Sequence, residues 1–184
     1  TYLIQKVYWA NFSVGILQRY YNKPFKEFDL DIIYFKTKIS RKIRKIGSIS
    51  FQIENGFATS QSHLVQFRPS SFNRSYDMME WYLPLIIKPK SRFLKEFGFS
   101  IKQENRKYIA EELNDPLHSG RDHLDTKYDF WFKKKINETI TATLSNRIRI
   151  RETNSKYDWV GDLKSFNQFQ IWLKIEWELV YDQY

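Results

Sequence analysis

Residues 138–151 read Glu-Thr-Ile-Thr-Ala-Thr-Leu-Ser-Asn-Arg-Ile-Arg-Ile-Arg, and apolar and polar side chains alternate along this stretch. Its even positions from 140 onward are apolar except Asn146, and its odd positions are polar and end in Arg147, Arg149 and Arg151. Successive side chains of a strand point to opposite faces of a sheet. The stretch therefore predicts a long strand with one apolar face and one face that ends in three guanidinium groups.

The same alternation recurs along the chain. In 167–181 every odd position from Phe169 to Tyr181 is apolar, and the even positions are mostly polar, with Trp172 as the main exception. Other stretches have the composition or alternation of strands; they are 2–9, 11–17, 28–34, 48–54, 63–67, 80–87, 97–102 and 128–134. Only 104–114, which ends at Asp115-Pro116, is typical of a helix. The pattern predicts an all-β fold with at most one short helix.

Many strands and almost no helix indicate an antiparallel sandwich or barrel of about eight strands, in one domain over residues 1–184. The irregular stretch 55–79 is expected to be a surface excursion.

The chain carries 30 basic and 21 acidic side chains and has a net charge of +9, which favours a polyanionic partner. It has no Cys, so disulfides and thiolate sites are excluded, and no apolar run approaches the ~20 residues of a membrane-spanning helix. We therefore expect no membrane partner.

Three basic clusters are candidate nucleic-acid contacts, because cations that neutralise phosphates supply affinity without reading sequence. The residues are Lys36, Lys38, Arg41, Lys42, Arg44, Lys45, Lys133, Lys134, Lys135, Arg147, Arg149 and Arg151. The alternative is an ordinary solvated strand end or loop. Trp131 and Trp172 are the candidates for stacking on bases, because they interrupt the polar rows of their strands.

The only metal-like cluster is Asp115, His118, Asp122, His123 and Asp125, in which His118 and His123 are weak candidate ligands. A solvated polar turn explains this segment better, so no metal is expected. The phosphate-binding glycine loop, the nucleophile elbow and the His-Glu-x-x-His motif are all missing from the sequence. We therefore expect a protein that is not an enzyme, with no catalytic residue and no cofactor.

Two stretches of the chain resemble small capsid proteins of circular single-stranded DNA viruses, the circovirus-like group. One is the long final stretch Phe169-Gln-Ile-Trp-Leu-Lys-Ile-Glu-Trp-Glu-Leu-Val-Tyr181, and the other is Pro24-Phe25-Lys26-Glu27-Phe28, which precedes a basic run. The resemblance implies a jelly roll that self-assembles into a symmetric homo-oligomeric shell, located in the virion. It also implies that the basic clusters neutralise packaged single-stranded DNA or RNA. Such capsid proteins normally begin with an Arg-rich arm, and residues 1–184 contain no such arm.

Two other functions fit the same residues. A ribosomal or ribonucleoprotein component of a mitochondrion or another organelle would use the basic clusters to hold rRNA by its phosphates. An enzyme built around His118 and His123 would use them to bind an anionic substrate.

Overall fold

A computed structural model describes residues 2–4, 8–22, 29–43, 46–60, 73–91, 93–111 and 115–178. These residues form nine strands and one short helix. The elements are β1 (Tyr2–Ile4), β2 (Tyr8–Arg19), β3 (Leu30–Ile43), β4 (Gly47–Ser60), β5 (Tyr76–Ile87), β6 (Glu96–Tyr108), β7 (Asp122–Lys135), β8 (Ile140–Asn154), α1 (Asp158–Lys164) and β9 (Phe166–Trp177). The prediction of an all-β fold with at most one short helix is confirmed.

All nine strands belong to one sheet, and their order in the sheet is their order in the sequence. Every strand pairs antiparallel with its sequence neighbours. A jelly roll would instead divide its strands between two packed sheets with Greek-key connections. The jelly-roll sandwich is therefore not confirmed. The sequence could not decide this point, because alternation predicts that one face of a strand is apolar but does not identify what covers that face.

The connections at the two ends of the sheet differ in length. The end where β3 runs into β4, here called the short-turn end, carries the connections 5–7, 44–46, 88–95 and 136–139. The opposite end, here called the long-loop end, carries 20–29, 61–75, 109–121 and 155–165. All four longer connections therefore lie at the same end of the sheet.

The helix predicted at 104–114 is wrong. Residues 104–108 belong to β6, 109–111 are irregular, and 112–114 lie outside the described residues. The side chains of Glu104 and Arg106 project from β6 on one face of the sheet, where they form an ion pair, and the pairing of β6 with β5 and β7 overrides the helix propensity of these residues. Within the part of the chain that the structure describes, no helix has the length and apolar character needed to cross a membrane.

Two predicted loops are also partly strand. Residues 55–60 and 76–79 of the predicted excursion at 55–79 belong to β4 and β5, and 122–125 of the polar turn predicted at 115–125 belong to β7. The strand predicted at 63–67 lies outside the described residues. The small buried core packs near the long-loop end, where Leu30, Ile32, Ala58 and Tyr76 come together.

Candidate functional site

The two faces of the sheet have opposite character. The strand register assigns the even residues of β2, β7 and β8 and the odd residues of β3, β4, β5, β6 and β9 to one side, here called the apolar face. The other side carries most of the charged residues and is here called the polar face. Most of the large exposed hydrophobic residues of the strands lie on the apolar face, with Trp9, Leu17 and Trp172 as the exceptions.

The apolar face is uncovered in the described chain. It is most exposed on β2, which pairs with β1 only from Tyr8 to Ala10, and on the edge strand β9, where Ile16 of β2 is 70% and Leu173 of β9 is 69% accessible. Other exposed members are Phe12, Val14, Phe35, Phe51, Phe57, Met79, Phe130, Phe132, Leu144, Phe169, Ile171, Ile175 and Trp177. Monomeric soluble proteins rarely expose contiguous apolar patches of more than a few hundred Å². An apolar surface that extends over eight strands therefore needs a partner.

The apolar residues form an oblique band across the apolar face. On each strand, the last apolar residue toward the long-loop end marks the limit of the band, and the position of this limit shifts from strand to strand. This limit is Ile16 on β2 and Phe169 on β9. The register puts Ile16 level with Asn154 of β8 but puts Phe169 level with Ile148 of β8. The limit has thus moved by six residues, from 154 to 148, across the seven steps from β2 to β9.

The limit on the short-turn side moves in the same direction. It is marked by Arg41 on β3 and by Lys134 on β7, and Arg41 is level with Phe130 of β7. The shift from 130 to 134 is four residues over four strand steps. At ~3.3 Å per residue and ~4.8 Å between strands, the two limits give a strand tilt of roughly 30–35° relative to the normal of the band.

The edge of the band at the short-turn end carries aromatic rings beside cations. The Arg41 guanidinium lies 5.2 Å from the centre of the Tyr8 ring, and the Lys134 ammonium lies 5.9 Å from that of Phe93. Inside the band, Gln103 accepts a hydrogen bond from the indole N–H of Trp81 at 2.9 Å and donates one to the Thr126 hydroxyl at 3.2 Å. The polar group of Gln103 is therefore satisfied without water.

The polar face carries a row of carboxylates between rows of cations. Residues Glu54, Glu80, Glu104 and Asp125 occupy successive strands at one level. Carboxylates directly opposite each other on adjacent strands repel. Nearby cations offset this repulsion; the pairs are Lys36–Glu54 at 3.1 Å, Lys102–Glu80 at 2.7 Å, and Arg106–Glu104.

Asp125 has the greatest number of cationic partners in the row. Its side chain is 1% accessible, and its Oδ2 atom lies 2.5 Å from Nη2 of Arg149 and 2.5 Å from Nη2 of Arg151. The ammonium group of Lys127 lies 3.9 Å away. Two of the three arginines predicted at the end of β8 therefore bind one buried carboxylate, and the third, Arg147, pairs with Asp129 at 2.5 Å.

The structure brings most of the predicted basic residues onto one face. Lys36, Lys38, Lys42, Lys133, Lys135, Arg147, Arg149 and Arg151 share the polar face, whereas Arg41 and Lys134 belong to the apolar face. Arg44 and Lys45 lie outside the described residues. Many of these cations already have acidic partners, including Lys133, which binds Glu176 at 2.8 Å. The carboxylate row was missed by sequence analysis because its members are separated by long connections, and only the register aligns them.

Trp131 and Trp172 both lie on the polar face, and they line one open cavity of about 600 Å³ together with Arg147. The Trp131 indole N–H donates to Glu96 at 2.9 Å, and the Arg147 guanidinium lies 5.2 Å from the Trp172 ring centre. The role of these rings in stacking on bases stays a prediction.

Within the described residues, His118 and His123 are not part of a group of three or more potential metal ligands. Each ring contacts Tyr108, at 5.3 Å between ring centres for His118 and 6.0 Å for His123. Among the residues that the structure describes, no group of three or more His, Asp or Glu side chains is arranged to hold a metal ion.

His118 and Asp115 form a buried pair in the connection between β6 and β7, with Nδ1 of His118 2.9 Å from the carboxylate. Burial and the nearby Arg121, Arg74 and Lys164 lower the pKa of His118 to about 3. Burial raises the pKa of Asp115 to about 6, against hydrogen bonds and cations that lower it. At neutral pH the imidazole is therefore uncharged and donates its Nδ1 proton to an ionised Asp115.

Comparison with protein-family models, with curated proteins and with solved structures finds no match for this chain. The geometry of the two faces is thus the basis for inferring its function.

Proposed function

We propose that the sheet is the membrane-crossing wall of an integral membrane protein, with its apolar face against lipid acyl chains and its polar face turned away from lipid. The observation that carries this proposal is the oblique apolar band. Strands that cross a bilayer are tilted by about 35–45°, and the roughly 30–35° obtained from the limits of the band is close to that range.

The height of the band supports the same proposal. From Tyr8 to Ile16 on β2, and from Phe169 to Trp177 on β9, the chain rises about 26 Å. A tilt of 30–35° reduces this to roughly 22 Å along the band normal, against an apolar belt of about 25 Å in proteins that cross membranes with strands. The aromatic–cation pairs at its edge have the character of residues at a membrane–water interface.

The connections and the polar face agree with this arrangement. Membrane sheets built from neighbouring antiparallel strands have short turns at one end and longer loops at the other, as this sheet does. Charged side chains turned away from lipid must be paired or hydrated. The ion pairs of Glu54, Glu80 and Asp125 satisfy that requirement on the polar face.

A viral coat protein and an rRNA-binding protein stay predictions. Both require a second sheet or another copy to cover the apolar face over most of eight strands. A flat protein partner could cover a band that runs straight across the strands as well as an oblique one. A bilayer differs, because it requires the limits of the band to shift from strand to strand when the strands are tilted. The oblique limits therefore favour lipid.

The experiment uses the absence of Cys in the sequence to place one label at a time. Ile171→Cys on the apolar face and Gln170→Cys on the polar face of β9 would each carry an environment-sensitive fluorophore, in full-length protein refolded into phosphatidylcholine vesicles. We expect spin-labelled lipids to quench the label at 171 strongly and the matched control at 170 weakly.

Equal quenching at both positions, or protein that remains in the supernatant when the vesicles are floated, would overturn the proposal. Regular particles in lipid-free buffer that protect position 171 from a water-soluble quencher would support the coat protein instead. Salt-sensitive binding of RNA by a lipid-free monomer would support the ribonucleoprotein.

A further inference from the structure

At the long-loop end of the polar face, side chains from several strands and connections enclose a cavity of about 440 Å³. Five of its lining residues are cationic although they are distant in sequence. These residues, here called the cationic cluster, are Arg19, Arg74, Arg106, Arg121 and Lys164. The cavity lies apart from the oblique band, and it shares Arg106 with the row of ion pairs near the middle of the strands.

Two guanidinium groups of the cluster are held in place by tyrosine rings. The Arg121 guanidinium carbon lies 3.8 Å from the centre of the Tyr108 ring, and that of Arg106 lies 4.8 Å from the centre of the Tyr76 ring. Arg121 is only 6% accessible, and its Nε has no hydrogen-bond partner among the described residues. A buried, oriented donor without an acceptor is costly unless a ligand supplies one.

Among the described residues, the two carboxylates Glu104 and Asp115 lie beside the five cations of the cluster and neutralise it only in part. Glu104 pairs with Arg106, and Asp115 accepts the hydrogen bond from His118. The lowered pKa of His118 has Arg121, Arg74 and Lys164 among its causes, so three cations from separate parts of the chain act on this one buried ring. An excess of positive charge therefore remains around the cavity.

We propose that the cationic cluster binds a phosphate group, carried either by a small soluble phosphate compound or by a lipid headgroup. Arginine forks match phosphate oxygens through paired, charge-assisted hydrogen bonds, and several such forks around one cavity suit a multiply charged anion better than a single carboxylate. The site lies among the long connections, so it is independent of what covers the apolar face.

The test measures binding of inorganic pyrophosphate to the full-length protein in detergent micelles by titration calorimetry, and binding to vesicles with and without phosphatidic acid in a second arm. We expect saturable binding in at least one arm. The double variant Arg19→Gln, Lys164→Gln should weaken it by at least about tenfold, because each lost charged hydrogen bond is worth roughly a factor of ten.

Lys135→Gln removes a cation at the opposite end of the polar face and serves as the matched control, which should bind like the wild type. Arg121→Gln should abolish binding, and its far-UV circular dichroism would reveal misfolding; the double variant keeps the test valid if Arg121→Gln does not fold. No saturable binding in either arm, or equal weakening in the Lys135 control, would overturn the proposal. Neither outcome depends on the labelling at positions 170 and 171, so the two proposals can fail separately.

Discussion

The membrane proposal makes a quantitative prediction for arginine substitutions on the apolar face of β9. Leu173 lies at the centre of the stretch from Phe169 to Trp177, four residues from either end. That distance is about 13 Å along the strand and roughly 11 Å along the band normal. Leu173→Arg would therefore put a charge close to the bilayer midplane, where such a substitution costs about 2–4 kcal/mol.

This cost corresponds to a decrease of roughly 30- to 700-fold in the folding equilibrium constant. Asn167→Arg is the matched control, because Asn167 lies on the same face of the same strand but beyond the limit of the band, where the cost falls to about 0–1 kcal/mol. The measurement is equilibrium unfolding by guanidinium chloride of protein refolded into phosphatidylcholine vesicles.

The reasoning would be refuted if both substitutions changed the free energy of unfolding by less than ~0.5 kcal/mol, as expected for residues exposed to water. Leu173 is 69% accessible in the isolated chain, so packing within the chain does not account for a large effect. A graded cost along β9, greatest at Leu173, is the specific signature of a lipid slab.

Three further predictions concern buried groups. Asp125→Ala should lower the free energy of unfolding by about 3–5 kcal/mol, measured by chemical denaturation, because the charges of its arginine partners would be left without a counter-ion. Gly98→Ala should displace the Trp131 ring, which a Cβ at position 98 would overlap, and shift the NMR signal of its indole N–H at a cost of about 1–3 kcal/mol. Asp115→Asn should make the stability of the connection 115–121 fall by about 1.4 kcal/mol per pH unit below pH 6.5, measured by amide hydrogen exchange.

The sign of the pH prediction follows from two opposed shifts. His118 has a pKa lowered from 6.5 to about 3, so the unfolded chain takes up this proton first and stability falls as the pH drops below 6.5. Asp115 has a pKa raised from 3.8 to about 6, so the folded chain takes up this proton first and stability rises as the pH drops below 6. In the wild type the two effects oppose each other between about pH 6 and pH 3.8, and Asp115→Asn leaves the His118 effect alone.

Each of these three predictions has an outcome that contradicts it. A flat pH profile in the Asp115 variant would show that His118 does not titrate as inferred. An unchanged Trp131 signal would mean that the Gly98 backbone can move away from the ring. Asp125→Ala without loss of stability would mean that Arg149 and Arg151 find other acceptors.

The alternating residues predicted the strands well because period-two patterning is local. The stretch 138–151 corresponds to β8, and 167–181 begins almost where β9 begins. The charge run from Lys36 onward was harder to interpret, because Lys36, Lys38 and Lys42 continue β3 on the polar face, whereas Arg41 lies on the apolar face. The helix α1 was missed because seven residues that contain Gly161 carry little periodic signal.

The candidate site was less predictable than the strands for a physical reason. The carboxylate row depends on the register between strands, and Glu80 and Glu104 become neighbours only when β5 pairs with β6. The surroundings of the apolar face depend on the environment of the chain, so the same alternation suits a sandwich core and a lipid-facing sheet equally well. The drift of the band limits separates these two cases, and it can be measured only after the strands are aligned.

The neighbour-to-neighbour order of the strands also bears on how such a chain can evolve. If a gene lost the β7–β8 hairpin, β6 would meet β9 in the same antiparallel sense that it now has with β7, and no other pairing would need to change. Duplication of a hairpin would widen the sheet by two strands with equal ease. The number of strands can thus change in pairs by simple genetic events, whereas a Greek-key sheet would have to rebuild its crossing connections each time.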